Sequence, residues 1–168
     1  ALDSRMLSML GLERTIRLWH PPSEELQQLK GLSRERSSLL KDRTTENNRQ
    51  GAIDSGVYRN SKALKRHKNR LKLLNAQIEL IEQEMQELVS KNKELKRKMD
   101  FLISIPGISF KSAATVVGET LGFESIVNTK QLASYAGYDI ILRESGNFKG
   151  KTKISKRGNS HIRAALHM

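Results

Sequence analysis

The chain has 168 residues, 37% hydrophobic and only 5% aromatic, a composition that suits elongated helical structure better than a large globular core. Thirty Lys and Arg against 18 Asp and Glu give a formal net charge of +12, which attracts a polyanion through counterion release and makes nucleic acid the expected partner. With no cysteine, disulfides and thiolate metal sites are excluded, and no apolar run reaches the roughly 20 residues of a membrane span. A cytoplasmic, nucleoid-associated location without membrane contact is therefore expected.

In chain order, Leu2, Met6, Leu7, Met9, Leu10 and Leu12 predict a short helix closing near Gly11, followed by an extended piece over residues 15–19. Pro21 and Pro22 block helix there, and Ser23 is placed as an N-cap with Glu24 and Glu25 in the first turn. Leu26, Leu29, Leu32, Leu39 and Leu40 then recur at helical spacing up to about Gln50, and the stretch from Gly51 to Asn60 reads as a turn.

The strongest periodicity follows. Leu64, Leu71, Ile78, Met85, Asn92 and Met99 lie seven apart, interleaved with Leu74, Ile81, Leu88, Leu95 and Leu102. This is a coiled-coil seam, with His67 and Asn92 as polar interruptions, and residues 61–102 predict a rod of roughly 60 Å. Two partners suit the seam. Asn92 would pair with its counterpart in a second copy, giving a homodimer or higher oligomer, or the seam packs antiparallel on helix 23–50 of the same chain. Thirteen Lys and Arg against four acids over residues 30–72 place basic stripes on both helices.

Beyond Met99, Ile105-Pro106-Gly107-Ile108 ends the rod in a tight turn, Ser112 to Leu121 reads as a helix, and Asn128 to Ala136 as another, closed by Gly137. Tyr138 to Arg143 and Lys151 to Ile154 predict strands around a turn at Glu144 to Asn147, and Ser160 opens a last helix. The fold class expected is mainly α: a long coiled-coil helical hairpin followed by a small α+β domain with a helix-hairpin-helix-like element. The chain starts without Met and stops in mid-helical pattern at Met168, so it reads as a trimmed piece lacking partners at both ends.

Three places carry chemistry. The Gly107 turn with Lys111 behind it resembles a hairpin that lets backbone N–H groups approach a phosphate, although Ser109 stands where a second glycine is usual. From Arg143 to Arg163 the chain holds Lys149, Lys151, Lys153, Lys156 and Arg157, with no acid after Glu144. A segment so one-sided in charge repels itself without a counter-anion, and this basic set is the expected nucleic-acid contact. Within it Ser145, on a turn among cations, is a candidate nucleophile for a phosphodiester. Asp3 is a lone carboxylate, and by itself reads as a helix-start residue.

Ser104-Ile-Pro-Gly-Ile, Leu132-Ala-Ser-Tyr-Ala-Gly, Glu144-Ser-Gly and Ile154-Ser-Lys-Arg-Gly-Asn-Ser-His-Ile-Arg occur in this order. As an ordered set, with the Asp3-Ser-Arg-Met-Leu start and Trp19-His-Pro-Pro-Ser, they resemble the insertion-sequence one-ten transposases, a family that includes the Piv-type DNA invertases. The resemblance implies a RuvC-like domain whose remnant is residues 1–22, a coiled-coil hairpin over 23–102 and a truncated C-terminal transposase domain over 103–168. It implies a DEDD carboxylate set holding Mg²⁺, in which Asp3 matches the last aspartate, and a serine nucleophile, matched by Ser145 with Ser155 as second candidate. DNA and a guide (bridge) RNA are the partners it implies. The expected function is a DNA transposase or site-specific recombinase, the piece alone being inactive; the alternative is a non-catalytic DNA- or RNA-binding coiled-coil scaffold.

Overall fold

The structure, a computed structural model, describes residues 2–15, 21–58, 60–142, 144–145 and 148–167. Among them are seven α-helices, α1 (Leu2–Glu13), α2 (Glu24–Asp54), α3 (Ser61–Lys91), α4 (Lys93–Ile103), α5 (Phe110–Glu119), α6 (Thr129–Ala136) and α7 (Ser160–Leu166). Between α6 and α7 lie four two-residue strands, β1 (Ile140–Ile141), β2 (Glu144–Ser145), β3 (Phe148–Lys149) and β4 (Lys153–Ile154). The mainly helical architecture expected from the sequence is the one observed. No helix of the described residues is long and apolar enough to cross a membrane.

Helix α2 starts where the sequence places it: the Ser23 hydroxyl accepts from the Leu26 N–H, with Glu24 and Glu25 in the first turn. It runs to Asp54, past the expected end near Gln50, so the connection to α3 is shorter than the sequence suggests. α3 packs antiparallel on α2. Arg36 meets Glu82, Arg43 meets Asn75 and Glu46 meets His67, so pairing partners descend along α3 as they ascend along α2.

The seam faces inward, but the partner is internal. Ile81, Met85 and Val89 turn into the hairpin, where Leu26, Leu29 and Leu32 meet them from α2, and Leu64 and Ile78 are buried farther along α3. Asn92 is not a seam residue. It has extended backbone (φ −112°, ψ 111°) between α3 and α4, and its side-chain oxygen caps α4 by accepting from the Leu95 N–H at 3.0 Å. The continuous rod expected over 61–102 is therefore two helices, because asparagine's side chain competes well for the free N–H groups of a helix start. The asparagine pairing expected across two copies has no basis once that side chain is the cap.

The break lets α4 turn the remaining heptad residues, Leu95 and Met99, into the same core as α2, α3 and α5. There Ala113, Ala114 and Val117 of α5 complete a cluster that crosses from the hairpin into the C-terminal part of the chain. α5 lies against α2 so closely that a Cβ on Gly118 would stand 3.0 Å from the Lys30 Cα. Glycine is required there because two helix backbones touch. A smaller cluster of Val116, Ala136 and Ile162 joins α5 to α6 and α7.

After α5 the chain turns through left-handed backbone at Leu121 (φ 50°), Gly122 (φ 68°) and Phe123 (φ 67°) and enters α6, which ends on Gly137 in the expected left-handed cap. β1 pairs antiparallel with β4, Ile140 opposite Ile154, and β2 with β3, Ser145 opposite Phe148. These two ladders form the arm that lies between α6 and α7. Helix α1, in contrast, has every described side chain exposed and contributes to neither core. The extended piece expected over 15–19 falls largely outside the described residues.

Replacing Asn92 with leucine separates the two readings of that position. As a lost cap it lowers stability by about 1 kcal/mol. A seam residue would gain stability instead, so urea denaturation of Asn92→Leu decides between them.

Candidate nucleic-acid interface

The geometry of the arm is set at its base, and the base is set by one carboxylate. Glu119, the last residue of α5, is 1% exposed. Arg34 of α2 grips it with two bonds, Nε to Oε1 at 2.7 Å and Nη2 to Oε2 at 3.0 Å. Asn159 donates its Nδ2 to Oε2 at 2.7 Å, and the Lys30 ammonium stands 4.0 Å away. The Tyr135 hydroxyl donates to the backbone carbonyl of the same residue at 3.0 Å. Tyr135 precedes the arm and Asn159 follows it, so Glu119 ties both ends of the arm to α2.

Asn159 does two things at once. While its amide nitrogen reaches Glu119, its oxygen caps α7 by accepting from the His161 and Ile162 N–H groups. Its own N–H donates to the Tyr135 carbonyl at 2.7 Å, closing the base. Gly158 fits only as glycine, since a Cβ would lie 2.5 Å from that same carbonyl oxygen. Burial pushes the Glu119 carboxyl up, but the bonds from Arg34 and Asn159 and the charges of Arg34 and Lys30 outweigh it and hold the group below its ordinary range. Arg34 is raised in turn, chiefly by its bond to Glu119.

Sequence reasoning missed this clamp. A signal existed: Glu119 is the lone acid of a helix otherwise built from small and apolar residues over 112–118, where a carboxylate needs a partner. Asn159 before Ser160 is also legible as an N-cap. That the two meet belongs to tertiary packing.

The expected contact residues divide into three places. Lys151 and Lys153 are exposed on the return side of the arm, and the backbone of Lys149 is paired in β3 opposite Glu144. Lys156 and Arg157 are exposed at the base, Lys156 in left-handed backbone at φ 55°. Arg163 is half-buried and gives Nη1 to the Ala136 carbonyl at 2.6 Å, a bond that holds α7 to the end of α6. Arg143 lies outside the described residues.

Gly107 (φ 90°) makes the turn between α4 and α5, away from the arm. Lys111 behind it is already engaged: its ammonium meets Glu82 of α3 at 2.7 Å, a carboxylate that also takes Arg36 Nε at 2.7 Å. Burial raises the Glu82 carboxyl, and bonds from Lys111 and Arg36 more than reverse that. Lys111 thus braces three helices together before it can offer charge to a phosphate. Glu46 repeats the pattern at the far end of the hairpin, taking His67 at 2.6 Å and Arg70 at 3.2 Å.

Ser145 is exposed, as a nucleophile for a large substrate must be. It sits in strand β2 opposite Phe148, itself 65% exposed, and not in the turn expected for it. The turn residues Gly146 and Asn147 lie outside the described residues. Ser155, the second candidate, is half-buried and structural: its hydroxyl donates to the Gly137 carbonyl at 3.2 Å and accepts from the Arg157 N–H at 3.3 Å. Asp3 stands exposed in the first turn of α1 and shares no core with the arm. Among the described residues no group of three or more ligand-type side chains is arranged to hold a metal, so the residues present do not by themselves fit Mg²⁺.

Residues 99–168, which open in α4 and take in α5, α6, the arm, α7 and the Glu119 and Asn159 side of the clamp, match the transposase IS116/IS110/IS902 family. That segment is similar to the IS110-type transposases. It is 27% identical over 170 residues to the pilin gene-inverting protein of Moraxella lacunata, covering 99% of this chain and 50% of that protein. With its counterpart from Moraxella bovis it shares 26% over the same span and coverage. The chain therefore spans about half the length of these curated relatives, and the IS110-type match contains Glu119, Asn159 and Ser145 alike.

Breaking the clamp has a measurable cost. Glu119→Ala leaves Arg34 and Asn159 unpaired and lowers stability by about 3 kcal/mol, the low end for a buried ion pair because Arg34 stays half in water. Since the folded carboxyl lies below its ordinary value of 4.5, the contribution is present above about pH 4.5 and fades as pH falls through the folded value. Urea titrations between pH 3 and 7 should show wild type losing stability on the acid side more steeply than Glu119→Ala.

Proposed function

We propose that this chain is the DNA-handling part of a recombinase that breaks and rejoins DNA through a covalent phosphoserine link to Ser145. The observation that carries this reading is an exposed serine on a two-stranded arm, with Lys151 and Lys153 exposed on the same arm and Lys156 and Arg157 at its foot. Cations around the arm lower the energy of the negative phosphorane as it forms. The Ser145 Oγ–P bond forms as the bond from phosphorus to the leaving deoxyribose oxygen breaks, and the serine proton ends on that oxygen. Attack by a deoxyribose hydroxyl from another strand reverses the step and rejoins the DNA, so no outside energy is consumed.

Similarity to proteins named for inverting a pilin gene favours inversion or transposition of a DNA segment as the overall reaction. A Mg²⁺ site to which Asp3 contributes would need further carboxylates beyond those the described residues bring together. A guide RNA is a natural ligand for the basic stripes of α2 and α3. Because α2 fills the hairpin seam, a second copy of the chain would have to assemble on another face.

The test uses the full-length protein. With Ser145→Ala, the protein–DNA adduct trapped on denaturing gels and the recombinant product should both disappear. Ser155→Ala, which removes only the bonds at the arm's base, should lower the melting temperature and keep the adduct. Adduct formation by Ser145→Ala overturns the assignment.

A further inference from the structure

A cleft of about 560 Å³ lies on the opposite flank of α5 from the core, walled by α2, α5 and α7. Its volume falls among those of ligand sites, roughly 300–1,000 Å³, but its lining is not the apolar one usual for small organic molecules. Arg36 and Lys41 stand on the α2 wall, and Lys111 on the α5 wall. No carboxylate lines it. Glu82 holds Arg36 by Nε alone and Lys111 by one ammonium contact, and each cation carries further donors beyond those bonds.

Hydroxyls and the His161 imidazole fill the rest of the polar lining. Ser109 and Ser112 sit side by side at the start of α5, 3.1 Å apart, where the positive end of the helix adds to the cations. The third wall is α7, which presents Ser160 and His161 at its start and the small Ala164 and Ala165 a turn later. Cations fixed on two walls, donors on the floor and a third wall of polar and small side chains make a track for a chain of phosphates and sugars. A duplex, whose major groove alone is about 12 Å wide, is too large for this volume.

We infer that this cleft is a second nucleic-acid site, distinct from the arm, that takes the phosphodiester backbone of a single strand. The inference rests on the nucleic-acid reading above and deepens it by giving the strand a place on the body of the molecule. Arg36 and Lys111 are pre-positioned by Glu82, so little side-chain freedom is lost when phosphate arrives. Lys41, exposed at the rim, supplies the charge that Glu82 cancels.

Fluorescence anisotropy of the whole chain with a short oligodeoxyuridylate, an oligouridylate and, as competitor, inorganic phosphate at matched ionic strength provides the test. Lys41→Ala should lower the slope of log affinity against log salt by about 0.7, the value for one contact on a single strand. Ala164→Leu fills the cleft without altering charge and should weaken binding by roughly tenfold, about 1.4 kcal/mol. Lys151→Ala on the arm, combined with Ala164→Leu, should give losses that multiply, as independent sites do. Equal weakening for both oligonucleotides supports recognition of the shared backbone, and weakening for one alone supports the cleft and identifies the sugar. If wild type binds and both cleft variants match it, or only competition by inorganic phosphate changes, the cleft is not a strand site while the arm reading stands. Absence of binding by wild type overturns both.

Discussion

A carboxylate sealed inside this molecule with a bidentate guanidinium on one side and an asparagine amide on the other holds its C-terminal part in place. Glu119 is the point at which α2, α5, α6 and α7 converge. The low-dielectric setting makes these bonds strong and makes the loss of any one costly, since a buried charge without partners has no water to turn to. An apolar residue there would still fill space, but it would not fix the two ends of the arm in one geometry. An exposed arm gains little rigidity from its own two-residue strands. Its orientation is inherited from the clamp.

The same device recurs along the hairpin. Glu82 joins Arg36 of α2 to Lys111 of α5, and Glu46 joins α2 to His67 and Arg70 of α3. Each of these acids takes side chains from a neighbouring helix and has its carboxyl held low by them against the opposing pull of burial. Acids spent on internal bracing are unavailable to balance the surface. Lys151, Lys153, Lys156 and Arg157 of the arm and Lys41 at the cleft are left exposed, part of a net charge of +12 that a polyanion can reach.

Arm and body present different groups to solvent. The arm exposes Ser145 together with Lys151 and Lys153. The body holds Arg36 and Lys111 in fixed positions through Glu82. α5 connects the two, because its first turn lines the cleft and its last residue anchors the arm.

From the sequence by itself came the helical class, the capped start at Ser23, the helix opening at Asn128, the Gly137 stop, the strands that pair as β1 and β4, and a strongly basic character. These follow from local rules: periodicity, cap chemistry and charge act over a few residues and need no knowledge of what lies across the fold. Only the tertiary structure decided that the heptad seam faces α2, that Asn92 ends a helix, and that Ser145 lies in a strand. It also revealed that Lys111 and Arg163 brace the fold and that Glu119 is its hub. Heptads show which face is buried and not what covers it, and a lone acid near a helix end gives no sign that its arginine lies 85 residues earlier in the chain.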